Sequence, residues 1–338
     1  MRRCNGLWST RVAEPATAAE YEVAVTIPAT MRAARIHAFG GPQELVVEDL
    51  PMPELGRGEV LVEVHGTSVN GADLELRRSG FDGYFTPPRT LGLDVYGIVR
   101  VVADGVEDLA VGDRVHGRRS SAERGTYSSY AAMDAGDLVV VPDPIDDVTA
   151  AAVPLVGLAA WQSVVEVGRV KQGERVLIHG AGGGVGHLAA QFALHLGAHV
   201  IASDTADARD LLERVGVTEI YDFRSTDVIA EVGTVEVVID PVGGPVTDAS
   251  LAALGTGGRL VTLVGQPDED AARARGATAT TIDSWMDRDH LARIDELLLT
   301  GEVTIEVAEV LPLEQAARAH ELAESGDVHG KIVLDPRR

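Results

Sequence analysis

Residues 175–204 read RVLIHGAGGGVGHLAAQFALHLGAHVIASD. Val176, Leu177 and Ile178 form a short apolar run of the kind that makes a buried strand. After the glycines, Leu188, Ala189, Phe192, Ala193 and Leu196 recur at helical spacing, which predicts an amphipathic helix over 185–196 closed by Gly197. HVIAS then reads as a second strand. Glycines between a strand and a helix have a specific use. A backbone without Cβ turns tightly and lets an anion approach the unpaired N–H groups of the first helical turn. The G-x-G-x-x-G spacing is imperfect here, with Ala181 at the first position and Gly183 and Gly186 after it. The flanking strand, helix and strand therefore carry the assignment of a dinucleotide phosphate loop built by Gly183, Gly184, Val185 and Gly186.

Downstream the alternation continues. ADARDLLERVG reads as a helix, EVVIDPVGG and GRLVTLVG as strands, residues 288–300 and 313–324 as helices, and KIVLD (331–335) as a last strand. Strand–helix alternation implies βαβ units and a parallel sheet covered on both faces. Residues 31–145 differ. ELVVEDL, GEVLVEVHGTSV and LDVYGIVRVVA are short runs between Gly and Pro turns, and Val60, Val62 and Val64 alternate with Leu61, Glu63 and His65. No helix-length periodic segment dominates there, and the character changes near Ala150. The expected fold class is α/β: a doubly wound parallel sheet plus a β-rich domain.

A chain of 338 residues supports two domains with cores of their own. Its net charge of −23 repels phosphate backbones and anionic lipids, so neither nucleic acid nor a membrane is an expected partner. No apolar run approaches the roughly 18 residues of a membrane span. Cys4 is the only cysteine, which excludes an internal disulfide. Residues 1–30 lack the apolar stretch of a signal peptide and are expected as a disordered extension, and the expected location is the cytoplasm.

The end of the second strand bears on the choice of cofactor. Asp204 stands where an acid holds the adenosine ribose hydroxyls, which favours NADH. Arg209 is placed to pair with a 2′-phosphate and Ser203 to donate a hydrogen bond to it, which favours NADPH. Both cofactors stay admissible.

From Met31 onward the chain resembles the medium-chain dehydrogenase/reductase superfamily, nearest its zinc-free quinone oxidoreductase and enoyl reductase branch. The matching segments are SVNGADLELRRSG, LGLDVYGIV, VGDRVHG, AAAVPLVGLAAWQSV, VLIHGAGGGVGHLAAQFA, VVIDPVGG, GRLVTLVG and HGKIVLD, in the family's order over some 300 residues. The resemblance implies a GroES-like catalytic domain from residues 31–150 and 305–338, wrapped around a Rossmann domain at 151–304. It also leans the cofactor toward NADPH. In zinc-dependent relatives a cysteine stands at the position of Asn70 and a histidine at that of Leu93, and a single cysteine cannot build a four-cysteine site, so no metal is expected.

Without a Lewis acid, the expected chemistry is hydride transfer to an already polarised acceptor, a quinone or an α,β-unsaturated carbonyl. The resemblance places Asn70 and Asp73 beside the nicotinamide, with Asn70 as a donor to a developing oxyanion. It offers Tyr84 as a proton donor, Val242, Gly243, Val264 and Gly265 as the lining of the nicotinamide end, and Lys331 as reaching the cofactor. Tyr127 matches an aromatic position of the family, whereas Ser129 stands where relatives carry an acid. The expected partners are a small-molecule substrate and further copies of the chain, as a homodimer or homotetramer. Two alternatives are a cofactor-binding protein with little turnover and a reductase restricted to carrier-bound acyl chains.

Overall fold

The computed structural model describes residues 27–83, 85–121 and 124–338. Its strands in chain order are β1 (Thr30–Ile36), β2 (Leu45–Pro51), β3 (Glu59–Ser68), β4 (Arg89–Thr90), β5 (Asp94–Val102), β6 (Arg114–Arg118), β7 (Tyr130–Asp134) and β8 (Leu138–Val140). They continue with β9 (Arg175–His179), β10 (His199–Asp204), β11 (Glu219–Asp222), β12 (Val235–Asp240), β13 (Leu254–Thr262), β14 (Thr278–Thr281), β15 (Val307–Pro312) and β16 (Lys331–Asp335). The helices that position the site are α1 (Gly71–Gly83), α2 (Asp147–Ala152), α3 (Pro154–Trp161) and α4 (Gly186–His195).

One sheet runs β11-β10-β9-β12-β13-β14, and every neighbouring pair in it is parallel. Counted from β9 this is the doubly wound order, in which the winding direction reverses between β9 and β12 and opens a crevice at the strand ends. Val176, Leu177 and Ile178 are all fully buried. Side chains alternate across a strand, so Val176 and Ile178 pack with Leu188 and Phe192 of α4, while Leu177 joins Ile201, Val238 and Leu260 on the other face. Burying a side chain such as Phe192 contributes about 1.5–3 kcal/mol. Gly197 closes the helix with φ +80°, as its place in the sequence predicts.

The β-rich part holds a sheet in the order β15-β16-β3-β5-β6-β8, with β7 also on β3, and a three-stranded sheet β2-β1-β4. β16 pairs antiparallel with β3 through Val333–Ser68 and Leu334–Thr67, so the C-terminal strand returns to the first part of the chain. α2 and α3 join the two parts. Asp146 caps α2 by accepting from the N–H groups of Val148 and Thr149, both at 2.9 Å, and Pro154 opens α3. A buried contact also crosses between the parts: His116 on β6 places Nδ1 3.2 Å from the Ala150 carbonyl and Nε2 3.0 Å from Asp295 Oδ2.

Two expectations change. The β-rich part contains α1, a 13-residue helix that its periodicity conceals. Beside Leu76 the inward position is Arg77, only 1% exposed. Its guanidinium bonds the Gly40 carbonyl at 3.1 Å and His320 Nδ1 at 3.2 Å and pairs with Glu324. A buried charge satisfied by distant acceptors reads in sequence as a surface residue. The disordered extension expected over 1–30 falls, through residue 26, outside the described residues, and Thr30 already belongs to β1 opposite Pro51. Among the described residues no helix is long and apolar enough to cross a membrane.

Candidate functional site

The glycine loop leaves β9 at Gly180, whose φ is +55°. A Cβ on Gly186 would fall 2.2 Å from the Gly180 carbonyl oxygen and 2.7 Å from Ala181 Cα. Both obstacles are backbone, so only glycine starts the helix here. The N–H of His187 bonds the Gly183 carbonyl at 3.1 Å, α4 has no side-chain cap, Val185 donates its N–H to no described residue, and Gly183 forms a parallel bridge with Gly330 that turns the Gly184 N–H toward the Gly330 carbonyl. Unpaired amides at the positive end of a helix make a cradle for an anion. His187 braces it. Its Nε2 accepts from the Glu306 N–H at 3.2 Å, which leaves Nδ1–H to donate to the Gly183 carbonyl at 2.8 Å. Burial pushes the imidazole down to about 4, so it is neutral at pH 7.

Two cavities meet at this loop. A cleft of about 370 Å³ is lined by Gly183, Gly184, Val185, Gly186, Asn70 and Lys331, among others. A largely apolar pocket of about 350 Å³ is lined by His179, Ser203, Phe223, Gly243 and Pro245. Gly180 and Val242 border both, so the two form one groove across the C-terminal ends of β9, β10 and β12. Val264 and Gly265 line neither cavity. Val264 packs against Gly243, which has φ +78° and whose Cβ would meet it at 2.6 Å, and the Gly265 carbonyl accepts from Thr281 Oγ1 at 2.8 Å.

The cleft floor is a buried polar chain. Lys331 is 3% exposed, so it is no surface lysine. Its stem lies against the loop, where a Cβ on Gly184 would come within 2.8 Å of Cδ. Its Nζ donates to Asn70 Oδ1 and to the Val69 carbonyl, both at 2.6 Å. Asn70 in turn gives both Nδ2 hydrogens away, to Asp94 Oδ2 at 2.8 Å and to the Ser68 carbonyl at 3.2 Å. An ammonium only donates and a carboxylate only accepts, which fixes the orientation of the amide. The expectation that Asn70 donates to a developing oxyanion is therefore corrected: its N–H groups are committed. The donor left over is on Lys331, which has three hydrogens and two described acceptors.

Asp94 is fully buried and ties the two parts of the chain together, accepting from Ser68 Oγ at 2.5 Å and from the Leu155 N–H at 2.8 Å. Asp73 is also fully buried and does not line the cleft. It accepts from the N–H groups of Asn70 (3.0 Å) and Gly92 (3.1 Å), so its place is to hold the loop and not to touch a ligand. Burial, and then the charge of Asp94, push Asp73 up to about 7. Burial lowers Lys331 to about 8, against the opposing pull of Asp94 and Asp73.

At the other end of the groove, Asp204 turns inward. Oδ2 accepts from the Gly182 N–H at 2.7 Å and Oδ1 from the Thr205 N–H at 2.6 Å. Arg209 lines neither cavity and instead reaches Glu213 at 3.3 Å and the Ile220 carbonyl at 3.2 Å. Tyr84 lies outside the described residues. Tyr127 is fully buried with its hydroxyl 3.2 Å from His320 Nε2, away from both cavities. Among the described residues no three His, Cys, Asp or Glu side chains converge to hold a metal ion. Sequence reasoning missed Asp94, although a lone acid in the apolar run LGLDVYGIV was a signal. It also missed Phe223 and Pro245, which as apolar residues at strand and helix ends carry no signal.

With this geometry in hand, two family models match the chain: the alcohol dehydrogenase GroES-like domain over residues 56–143 and the zinc-binding dehydrogenase over 215–334. Human quinone oxidoreductase is 27% identical over 322 residues, covering 90% of this chain and 97% of the relative. A mycocerosic acid synthase-like polyketide synthase of Mycobacterium tuberculosis is 31% identical over 302 residues. That match covers 83% of this chain but only 14% of the much longer synthase. Among solved structures, Escherichia coli quinone oxidoreductase complexed with NADPH superposes with a TM-score of 0.84 at 28% identity, covering 90% of this chain and all of that one. The α/β architecture and the glycine-loop groove define an oxidoreductase fold, and the chain belongs to the medium-chain dehydrogenase/reductase superfamily, in its quinone oxidoreductase branch.

Proposed function

We propose that this protein is a reductase that uses NADPH, and NADH less well, to pass hydride to a quinone or an α,β-unsaturated carbonyl without a metal ion. The observation that carries the reading is the groove, with an uncapped helix N-terminus at its centre, an apolar pocket at one end and a buried lysine at the other. The residues fit a dinucleotide. The Val185 N–H and the start of α4 are placed to receive a pyrophosphate, Phe223 and Pro245 offer apolar surface to an adenine, and Lys331 adds a positive charge beside the loop. The reduced nicotinamide, when bound, supplies the hydride. The protein orients the acceptor and excludes water, and a proton from water or a side chain completes an alkene reduction.

Two observations support the finer parts of the proposal. Both oxygens of Asp204 accept backbone N–H groups, which draws the carboxylate toward the loop and away from a ribose. The zinc-ligand positions of relatives hold Asn70 and Leu93, and Asn70 is bound into the Lys331–Asp94 chain. The test is loss of reduced-nicotinamide absorbance with an ortho-quinone and with 2-alkenals, after dialysis against a chelator. NADPH oxidation that survives chelation is expected. Tight cofactor binding with no oxidation by any acceptor, or activity that returns only with added zinc, would refute it. The polyketide synthase match favours a second reading, reduction of carrier-bound enoyl chains, which predicts activity on carrier thioesters and none on the free acceptors.

A further inference from the structure

A separate cavity of about 200 Å³ opens beside β1, β4 and β7, and none of its lining residues borders the groove. Its wall contains Arg35, Arg89, Arg119 and Arg124, with Thr90 and Tyr130, and no carboxylate among the described residues. In a chain of net charge −23, a cavity walled by four arginines and by no described acid runs against the general balance.

Arg119 is the informative member. It is 6% exposed, and its terminal nitrogen donates to the Ala132 carbonyl. Its Nε is buried without a partner, and it forms no ion pair among the described residues. Burial, and then the charge of Arg124, lower it to about 10, which leaves it a cation at neutral pH. The Nε of Arg35 is likewise buried without a partner, although its NH1 is paired with Glu48 at 3.0 Å. Arg124 is paired with Glu59. Neither Glu48 nor Glu59 lines this cavity, although Glu59, Asp134 and Asp137 line a neighbouring one that Arg119 and Arg124 also border. Asp137 and Glu59 attract the Arg119 charge without pairing with it, so the guanidinium groups gathered at this cavity can still gain from an anion held among them. An acceptor that faces several guanidinium groups from different strands needs oxygens in several directions, which a tetrahedral oxyanion provides.

We propose that this cavity binds phosphate, either inorganic phosphate or the phosphate of a phosphomonoester, through the guanidinium groups of Arg119 and Arg35. The test is calorimetric titration of the full chain with inorganic phosphate, in buffer matched with chloride, for wild type and Arg119→Met. The glycine loop is identical in both proteins, so any phosphate it takes cancels in the comparison, whether or not the groove holds a dinucleotide. The expected result is a saturable site in wild type that Arg119→Met weakens by about tenfold or more, the scale of one charge-assisted hydrogen bond. Phosphate should raise the melting temperature of wild type more than that of the variant. Glycerol 3-phosphate in place of phosphate separates the sources: tighter binding assigns a phosphomonoester, weaker binding the free ion. If Arg119→Met does not fold, Arg119→Lys keeps the charge without Nε and is expected to bind more weakly than wild type. Equal affinity in wild type and the folded variant, or no saturable binding in wild type, would overturn the proposal and leave the cavity to water.

Discussion

Replacing Lys331 by methionine keeps most of the stem that lies against Gly184 and removes the charge from the cleft. In wild type the ammonium makes two bonds of 2.6 Å to the floor and retains one hydrogen for a ligand. A hydrogen bond from a charged donor contributes about 1.5–3 kcal/mol, so the variant should bind NADPH roughly 10- to 150-fold more weakly at pH 7. The pH dependence is the sharper test. Lys331 titrates at about 8 in the free protein, and an anion beside it holds the proton more tightly. Binding therefore takes up a proton, and affinity is full below pH 8 and falls as pH rises through it, by at most about tenfold per unit. The variant has no such group, and its affinity should be flat. The folding contribution has the opposite sign. Because the lysine is depressed from 10.5 to about 8, the unfolded chain holds more protons in that window, and this group adds stability as pH rises across it. Fluorescence titration with NADPH between about pH 7 and 9.5 measures the effect, with melting temperatures to confirm that both proteins are folded. A wild-type affinity that ignores pH over that range, or a variant that keeps the wild-type slope, would refute the placement of this cation beside the dinucleotide.

Three further outcomes are expected. Gly186→Ala should abolish dinucleotide binding, because its Cβ would sit 2.2 Å from a backbone oxygen that cannot retreat without moving β9; calorimetry that finds wild-type affinity contradicts the loop geometry. Thermal stability should fall as pH drops from 6.5 toward 4, since His187 (about 4) and His320 (about 3) are held neutral by burial and the unfolded chain takes up their protons first; scanning calorimetry across that range checks it, and a flat profile counts against it. Asp204→Ala leaves two backbone N–H groups without their acceptor, at about 1–3 kcal/mol each if they stay buried, and should raise KM for NADPH and NADH alike. A loss confined to NADH would show instead that the carboxylate holds the ribose.

What the sequence discloses follows from the range of the interactions involved. The loop Gly180–Gly186, the strand Arg175–His179 and helix α4 are legible because a glycine turn, a β-branched run and a helical stripe are all local patterns. Of the residues the resemblance points to, Asn70, Lys331 and Val242 line the cleft and Asp73, Val264 and Gly265 do not, and the tasks of those that do are not local. Asn70 reads as a free donor until Asp94, 24 residues on, and Lys331, 261 residues on, are seen to occupy its amide. Asp73 reads as a neighbour of the nicotinamide until two backbone N–H groups are found on it. Arg77 hides helix α1 for the same reason, because its acceptors are 37 to 247 residues away. Hydrogen-bond partners at such separations leave no periodicity behind.

The antiparallel pairing of β16 with β3 bears on how the protein is made. Ribosomal synthesis delivers Thr67 and Ser68 long before Val333 and Leu334, and the whole parallel sheet is translated in between. Until the late strand arrives, one edge of β3 is bare along that stretch, and Asn70 has no ammonium to accept from. A nascent chain in that condition offers an open hydrogen-bonding edge to any neighbour. Docking of β16 therefore covers that edge and brings Lys331 to the cleft floor together.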